Sequence, residues 1–308
     1  MKTKIGLPKS LLYYYYKDLW VYFFKYLDFD IVKSCNSNKE IIRIGQSLCI
    51  DESCLSLKLF LGHVDYLKDK CDYILVPRVF SVKENEGACT NFNCLYDLTN
   101  NVLEDTNILN YNIDLTTHDS ELLGFLKIGR DLGVSYIKSY KAYKFAKKKS
   151  LEIRNEKEKI QKEKLKSKKL KILLAGHPYN LYDELIGVQV DNFLTSLGVE
   201  ILYSDRIPHH LIDSECNKLS TDIYWTYSKE VVASIEYYKD KVDGIILLSS
   251  FPCGPDSLSN DLVSRRVKNI PILTLLFEDL NSDVGLMTRL ESFFDILMQK
   301  EEKSETNN

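Results

Sequence analysis

Short aliphatic runs recur along this chain, each followed by a segment long enough for a helix, and this alternation is what most restricts the fold. Lys4–Leu7, Asp28–Lys33, Asp72–Val76, Lys171–Ala175, Val199–Tyr203, Gly244–Ser249 and Ile270–Phe277 read as strands. Between them, Ser10–Leu27, Asn38–Leu48, Ser53–Lys68, His118–Leu132, Tyr136–Lys169, Asp183–Leu197, Tyr224–Asp240, Ser257–Lys268 and Ser282–Gln299 read as helices. Strands alternating with helices are joined by crossovers, which make parallel sheets. The spacing therefore predicts an α/β protein of two doubly wound parallel-sheet (flavodoxin-like) domains. The first covers residues 1–145 and the second 170–300, with a long Lys/Glu-rich helix over 146–169 between them and a disordered tail over 301–308. With 308 residues, the length suits two domains.

Charge is concentrated in one place. Residues 147–171 hold eleven Lys and one Arg against four Glu, a local sum of +8 in a chain whose net charge is -3. Lys and Glu are interleaved there at i,i+4 spacing, which supports a helix in water. No aromatic residue lies in the stretch to stack on bases, so nucleic acid is not the expected partner. The chain shows neither a run of about 18 apolar residues nor a secretory leader, and a cytoplasmic protein is expected. In that reducing compartment its eight cysteines are not a disulfide framework. They are packing residues, metal or cluster ligands, or reactive thiols.

Placement separates the cysteines better than spacing, because no C-x-x-C pair occurs. Ligands of open α/β sheets bind beyond the carboxyl ends of the strands. Cys253 lies there in Phe251-Pro252-Cys253-Gly254-Pro255-Asp256, Cys89 lies in the loop after Asp72–Val76, and Cys54 opens a helix after Asp51-Glu52-Ser53, where Asp51 and Ser53 are candidate N-caps. A helix start favours a thiolate. Cys54, Cys89 and Cys253 are thus candidate ligands of a [4Fe–4S] cluster in a cleft between the domains, with packing as the competing reading. Cys49 and Cys94, each five residues from a candidate, are ambiguous neighbours. Cys35, Cys71 and Cys216 read as structural.

His177-Pro178-Tyr179-Asn180 follows Lys171–Ala175 at its carboxyl end and is read as a substrate-facing loop carried by His177, Tyr179 and Asn180, with Asp183 as a candidate helix cap. His63 reads as a structural histidine, and His209 with His210 as a surface pair. Lys58, one turn after Cys54, either stabilises an anion or is solvated. Glu278, Asp279 and Arg289 read as a structural ion pair near the last helix. G-x-x-x-x-G-K-[ST], G-x-G-x-x-G and G-x-S-x-G do not occur in the sequence.

An ordered set of motifs runs through the chain. It comprises Ile5-Gly6-Leu7-Pro8-Lys9-Ser10, Asp51-Glu52-Ser53-Cys54-Leu55-Ser56-Leu57-Lys58, Gly62-His63-Val64, Asp72-Tyr73-Ile74-Leu75-Val76-Pro77-Arg78, Gly176-His177-Pro178-Tyr179-Asn180-Leu181-Tyr182-Asp183, Cys253-Gly254-Pro255-Asp256-Ser257 and Gly285-Leu286-Met287-Thr288-Arg289-Leu290-Glu291. Together they resemble the acyl-CoA dehydratase activase-related proteins of the 2-hydroxyacyl-CoA dehydratase superfamily. The resemblance implies an iron–sulfur protein with low-potential electron transfer or dehydratase-like chemistry at a cluster held by Cys54, Cys89 and Cys253. A double-cubane-cluster reductase and a non-catalytic cluster- or partner-binding subunit are the alternatives. It also implies a separate ATP-dependent activator as partner and a CoA ester as substrate. Thr90 after Cys89 and Cys94 depart from the family pattern.

Overall fold

The fold is taken from a computed structural model, which describes residues 2–278 and 283–306. In chain order the elements are β1 (Lys4–Leu7), α1 (Tyr13–Tyr26), β2 (Asp30–Lys33), α2 (Lys39–Ser47), α3 (Leu55–Leu67), β3 (Tyr73–Leu75), β4 (Arg78–Ser81), α4 (Thr90–Val102), β5 (Ile108–Leu109), β6 (Asn112–Asp114), α5 (Glu121–Asp131) and α6 (Tyr136–Lys164). They continue as β7 (Lys171–Ala175), α7 (Pro178–Leu181), α8 (Gly187–Ser196), β8 (Glu200–Tyr203), α9 (Ile212–Leu219), α10 (Thr226–Tyr238), β9 (Gly244–Ser250), α11 (Gly254–Arg266), β10 (Ile272–Phe277) and α12 (Asp283–Thr306). The α/β class with parallel sheets is as expected. The chain divides into two units, residues 1–157 with 224–227, and residues 158–223 with 228–308.

In the first unit a parallel sheet runs in the order β2-β1-β3-β5, and a separate parallel pair joins β4 to β6. This pair was not expected: Pro77 breaks the aliphatic run after Val76, yet the chain resumes pairing at Arg78. The core is built by α1, whose Tyr13, Leu19, Trp20, Phe23 and Phe24 are buried. Trp20 spends its indole N–H on the Tyr111 hydroxyl at 2.8 Å, which lets both large rings sit inside. Helices α2 and α3 meet backbone to backbone. A Cβ at Gly45 would lie 1.8 Å from the Lys58 carbonyl oxygen, and one at Gly62 would lie 2.1 Å from that of Ile41. Residues 224–227 complete this unit: Gly87 and Trp225 form an isolated bridge, and the Tyr227 ring lies 4.2 Å from that of Tyr15.

In the second unit all strands are parallel, in the order β10-β9-β7-β8. Every residue of the central strand β9 is buried. One face packs Leu173, Leu202, Ile235, Ile245, Leu247 and Val263, and the other packs Ile172, Leu174, Ile246, Leu248, Leu290 and Phe293. Apolar residues on both faces are what a parallel sheet requires, because its crossover helices cover both. The edge strand β8 is closed by the last turns of α6. The Gln161 side chain donates to the Tyr203 carbonyl at 2.7 Å and accepts from its N–H at 2.9 Å, and Lys164 Nζ donates to the Ile201 carbonyl at 3.0 Å.

Three expectations are corrected. The tail expected to be disordered is helical as far as Thr306, because α12 continues through Glu- and Lys-rich sequence of good helix propensity; Asn307 and Asn308 lie outside the described residues. The helix expected over Asp183–Leu197 starts later, as α8 at Gly187, and a short helix that was not expected, α7, precedes Asp183. Asp183 turns the chain between them, its side chain accepting from the Leu185 N–H at 2.9 Å. Neither Asp51 nor Ser53 caps α3; Cys54 is the N-cap and makes no side-chain capping bond.

Replacing Gly45 by Ala should force α2 off α3 and cost about 1–3 kcal/mol, the usual range for overpacking. Urea denaturation of the two proteins measures it, and an unchanged midpoint would contradict the close approach.

Candidate polar site at the carboxyl edge of the second sheet

In the second unit, strand order reverses between β7 and β9, because β7 is followed by β8 on one side and by β9 on the other. Doubly wound sheets bind ligands beyond the carboxyl ends of the strands at such a point. Three loops meet there. Gly176 leaves β7, and a Cβ on it would come within 2.6 Å of the Leu248 carbonyl oxygen of β9. Its N–H donates to Ser204 Oγ at 3.1 Å, and that hydroxyl donates back to the Gly176 carbonyl at 2.8 Å, tying the ends of β7 and β8. Asn180, fully buried, ties β7 to β9: its amide donates to the Leu248 carbonyl at 3.4 Å and accepts from the Ser250 hydroxyl at 2.7 Å.

His177 is the N-cap of α7 and is buried. Its Nε2 lies 2.8 Å from Asp256 Oδ1, and its ring stacks on Tyr179 with centroids 5.0 Å apart. Asp256 sits in the first turn of α11, where the helix dipole favours a carboxylate. Its second oxygen, Oδ2, is buried without a hydrogen-bond partner. At the end of β8, the Tyr182 hydroxyl donates to both Asp205 oxygens at 2.8 and 2.9 Å. Burial, with Asp205 beside it, holds the Tyr182 phenol well above its ordinary pKa. Arg206 lies over the Tyr203 ring, 4.2 Å from its centroid. The edge is therefore an orienting polar network in which Asp256 fixes the imidazole ring of His177.

His177, Tyr179 and Asn180 stand at the strand end where the sequence puts them, and all three are buried. The sequence reading missed Asp256, Ser204 and Ser250. Asp256 alone left a signal, an acidic residue just after Gly-Pro at a helix start. Ser204 and Ser250 are ordinary residues whose roles come from the strands they end.

Cys54, Cys89 and Cys253 share one local geometry: each is the extended N-cap of a helix, α3, α4 and α11, without a side-chain capping bond. Cys54 and Cys89 belong to the first unit and Cys253 to the second. Asn91, in the first turn of α4, donates to Cys54 Sγ at 3.6 Å. Cys94 Sγ lies 3.9 Å from the Asn91 carbonyl, and Cys49 is half-buried in the loop before α3. The cysteines read as structural have that environment: Cys216 is fully buried, Cys35 receives the Asn38 amide at 3.7 Å, and burial pushes the Cys71 thiol up to about 11. Lys58 is not solvated; it is buried and holds the Asp51 carbonyl at 3.0 Å. His63 is fully buried, with Nε2 3.0 Å from Ser37 Oγ. His209 and His210 are exposed on a short 3-10 turn. Asp279 lies outside the described residues; Arg289 donates to the Thr274 carbonyl.

Residues 4–207 match the family described as CoA enzyme activase uncharacterised domain (DUF2229). The chain belongs to this family. No curated protein matches it. Membership corrects the functional expectation, because the family's description points to an activase role and not to an iron–sulfur dehydratase. Among the described residues, moreover, no three His, Cys, Asp or Glu side chains are grouped to hold a metal ion. A helix-start position makes a thiol suitable as a ligand, but it is a local property that by itself assigns neither a cofactor nor an activity. Among the described residues no helix is long and apolar enough to cross a membrane.

Two predictions follow from these environments. Asp256→Ala removes the partner of a buried imidazole and should cost about 1–3 kcal/mol; Asp256→Asn, which keeps an acceptor, should cost less in the same urea titration. Burial, helped by the Lys9 charge, lowers the His63 pKa to about 3 from its ordinary 6.5. The unfolded chain therefore binds a proton that the native chain refuses, and stability should fall as pH drops from 6.5 toward 3. The slope from this one group is about 1.4 kcal/mol per pH unit. Denaturation midpoints between neutral pH and the acid limb should show a shallower fall in His63→Gln.

Proposed function

We propose that this chain takes part in switching on a partner enzyme that acts on CoA esters, and that it does so beside a separate ATP-dependent activator. The observation that carries the reading is the family match over residues 4–207, which spans nearly all of the first unit and the β7 and β8 edge with His177. The ordered motifs that resemble the acyl-CoA dehydratase activase-related proteins support a partner of 2-hydroxyacyl-CoA dehydratase chemistry. The chain's own part in this reading is recognition and orientation. The polar edge of the second sheet presents a buried imidazole held by a carboxylate, and such a group can hold or pass a proton at a fixed position.

The test is reconstitution. A resting acyl-CoA dehydratase is mixed with its ATP-dependent activator, with and without this chain, and the rate at which dehydratase activity appears after ATP addition is followed. Activation should quicken at least about tenfold, the change worth 1.4 kcal/mol in a barrier, and His177→Gln should remove most of the gain. An activation rate indifferent to the chain overturns the proposal.

A further inference from the structure

The two edges of the second sheet are finished differently. The outward main-chain groups of β8 at Ile201 and Tyr203 are met by Lys164 and Gln161. The opposite edge is β10, Ile-Leu-Thr-Leu-Leu-Phe, which pairs only with β9 among the described residues. Its direction of bonding is fixed by its ends. The Pro271 carbonyl accepts from Ile245 and the Phe277 carbonyl from Phe251, so the odd-numbered residues face β9. Ile272, Thr274 and Leu276 therefore turn their N–H and C=O groups outward. Of these, the Thr274 carbonyl is held by the exposed guanidinium of Arg289. Exposed apolar side chains lie on the strand and the elements next to it: Leu276 is 44% exposed, Phe251 49% and Leu258 60%. The devices that normally guard an edge, a lysine, a proline or a bulge within the strand, do not occur in β10.

We propose that the β10 edge is an interface for a second copy of this chain, which adds its own β10 antiparallel about a two-fold axis at Thr274. The occupant follows from the register. With Thr274 opposite Thr274 of the second copy, Ile272 falls opposite Leu276 and Leu276 opposite Ile272. These are the three residues whose main-chain groups face out, so each pair exchanges both of its hydrogen bonds. The side chains of the three lie on one face, where the exposed Leu276 meets the Ile272 of the second copy, and Thr meets Thr, a favourable cross-strand pair. No charged residue in β10 is set against its like, as happens in many self-paired strands. A two-fold contact of this kind closes on itself and makes a dimer, not a fibre. Arg289 must release the Thr274 carbonyl for the strands to meet, so it restrains the association. The edge lies outside residues 4–207, and the inference does not depend on the activase reading.

Sedimentation velocity of the full chain, from low to high micromolar concentration, should show a monomer–dimer equilibrium. Thr274→Pro deletes an outward N–H and puts a ring on the axis, a change an unpaired edge tolerates. Leu276→Lys sets a charge against the Ile272 of the second copy. Each should raise the dissociation constant at least about tenfold with an unchanged circular dichroism spectrum, and Arg289→Ala should lower it. Amide exchange at Ile272, Thr274 and Leu276 should slow as concentration rises. If Thr274→Pro fails to fold, Leu276→Lys decides alone. A monomer throughout the range, or a dimer indifferent to Leu276→Lys, overturns the proposal.

Discussion

A parallel strand covered on both faces can carry a polar side chain only where another group meets it, and the second unit is organised around that demand. Strand β9 is buried from Gly244 to Ser250. Its middle is aliphatic and packs into two cores. Its last two residues are serines, and each has to find a partner at the carboxyl edge. Ser250 donates to Asn180, and Ser249 receives the Asn260 amide at 3.4 Å. The polar network around His177 and Asp256 grows from the same place, because strand ends are where a buried sheet first reaches polar loops. The rule that doubly wound sheets bind ligands at the point where strand order reverses is, in this unit, a rule about where polar groups can be afforded.

The first unit meets the same requirement with different means. Its helices close on the sheet through aromatic bulk and through glycine. Trp20, Phe23, Phe24 and Tyr111 fill the core, and the two rings that carry a polar atom, Trp20 and Tyr111, bond each other. Where α2 crosses α3, glycines at 45 and 62 remove the side chains that would hold the backbones apart. That closeness buries His63 and Lys58. The first is kept neutral by its surroundings, and the second is spent on a loop carbonyl. Polar residues in the motif around Cys54 thus serve the fold before they serve any ligand.

Much of this was legible in the chain. The aliphatic runs of β1, β7 and β9 mark their strands, and Gly198 after α8 marks a helix end at positive φ. The loop after β7 stands out because a His-Pro-Tyr-Asn cluster follows an apolar strand. Other features were not legible. The β4–β6 pair has no separate hydrophobic signature, since its strands are three and four residues long. Asp183 looks like a cap and is a turn. Asp256 becomes part of the site only because α11 delivers it to a histidine 79 positions earlier in the chain. The expectation of an iron–sulfur dehydratase, overturned by the family match, had rested on local signals alone. Helix-start cysteines are a local property, whereas a cluster needs several thiolates in one place, which is a property of the whole chain.

The sequence by itself determined the alternation of strand and helix, the parallel sheets that alternation demands, and the family, because these depend on period, composition and ordered motifs read one segment at a time. Tertiary structure alone decided which polar residues meet: His177 with Asp256, Ser37 with His63, Gln161 with the edge of β8. It also decided that one sheet edge is capped, while β10 pairs only with β9 among the described residues. These pairings join residues distant in the chain. Their energies come from burial and direction together, and neither exists until the sheets and helices have packed.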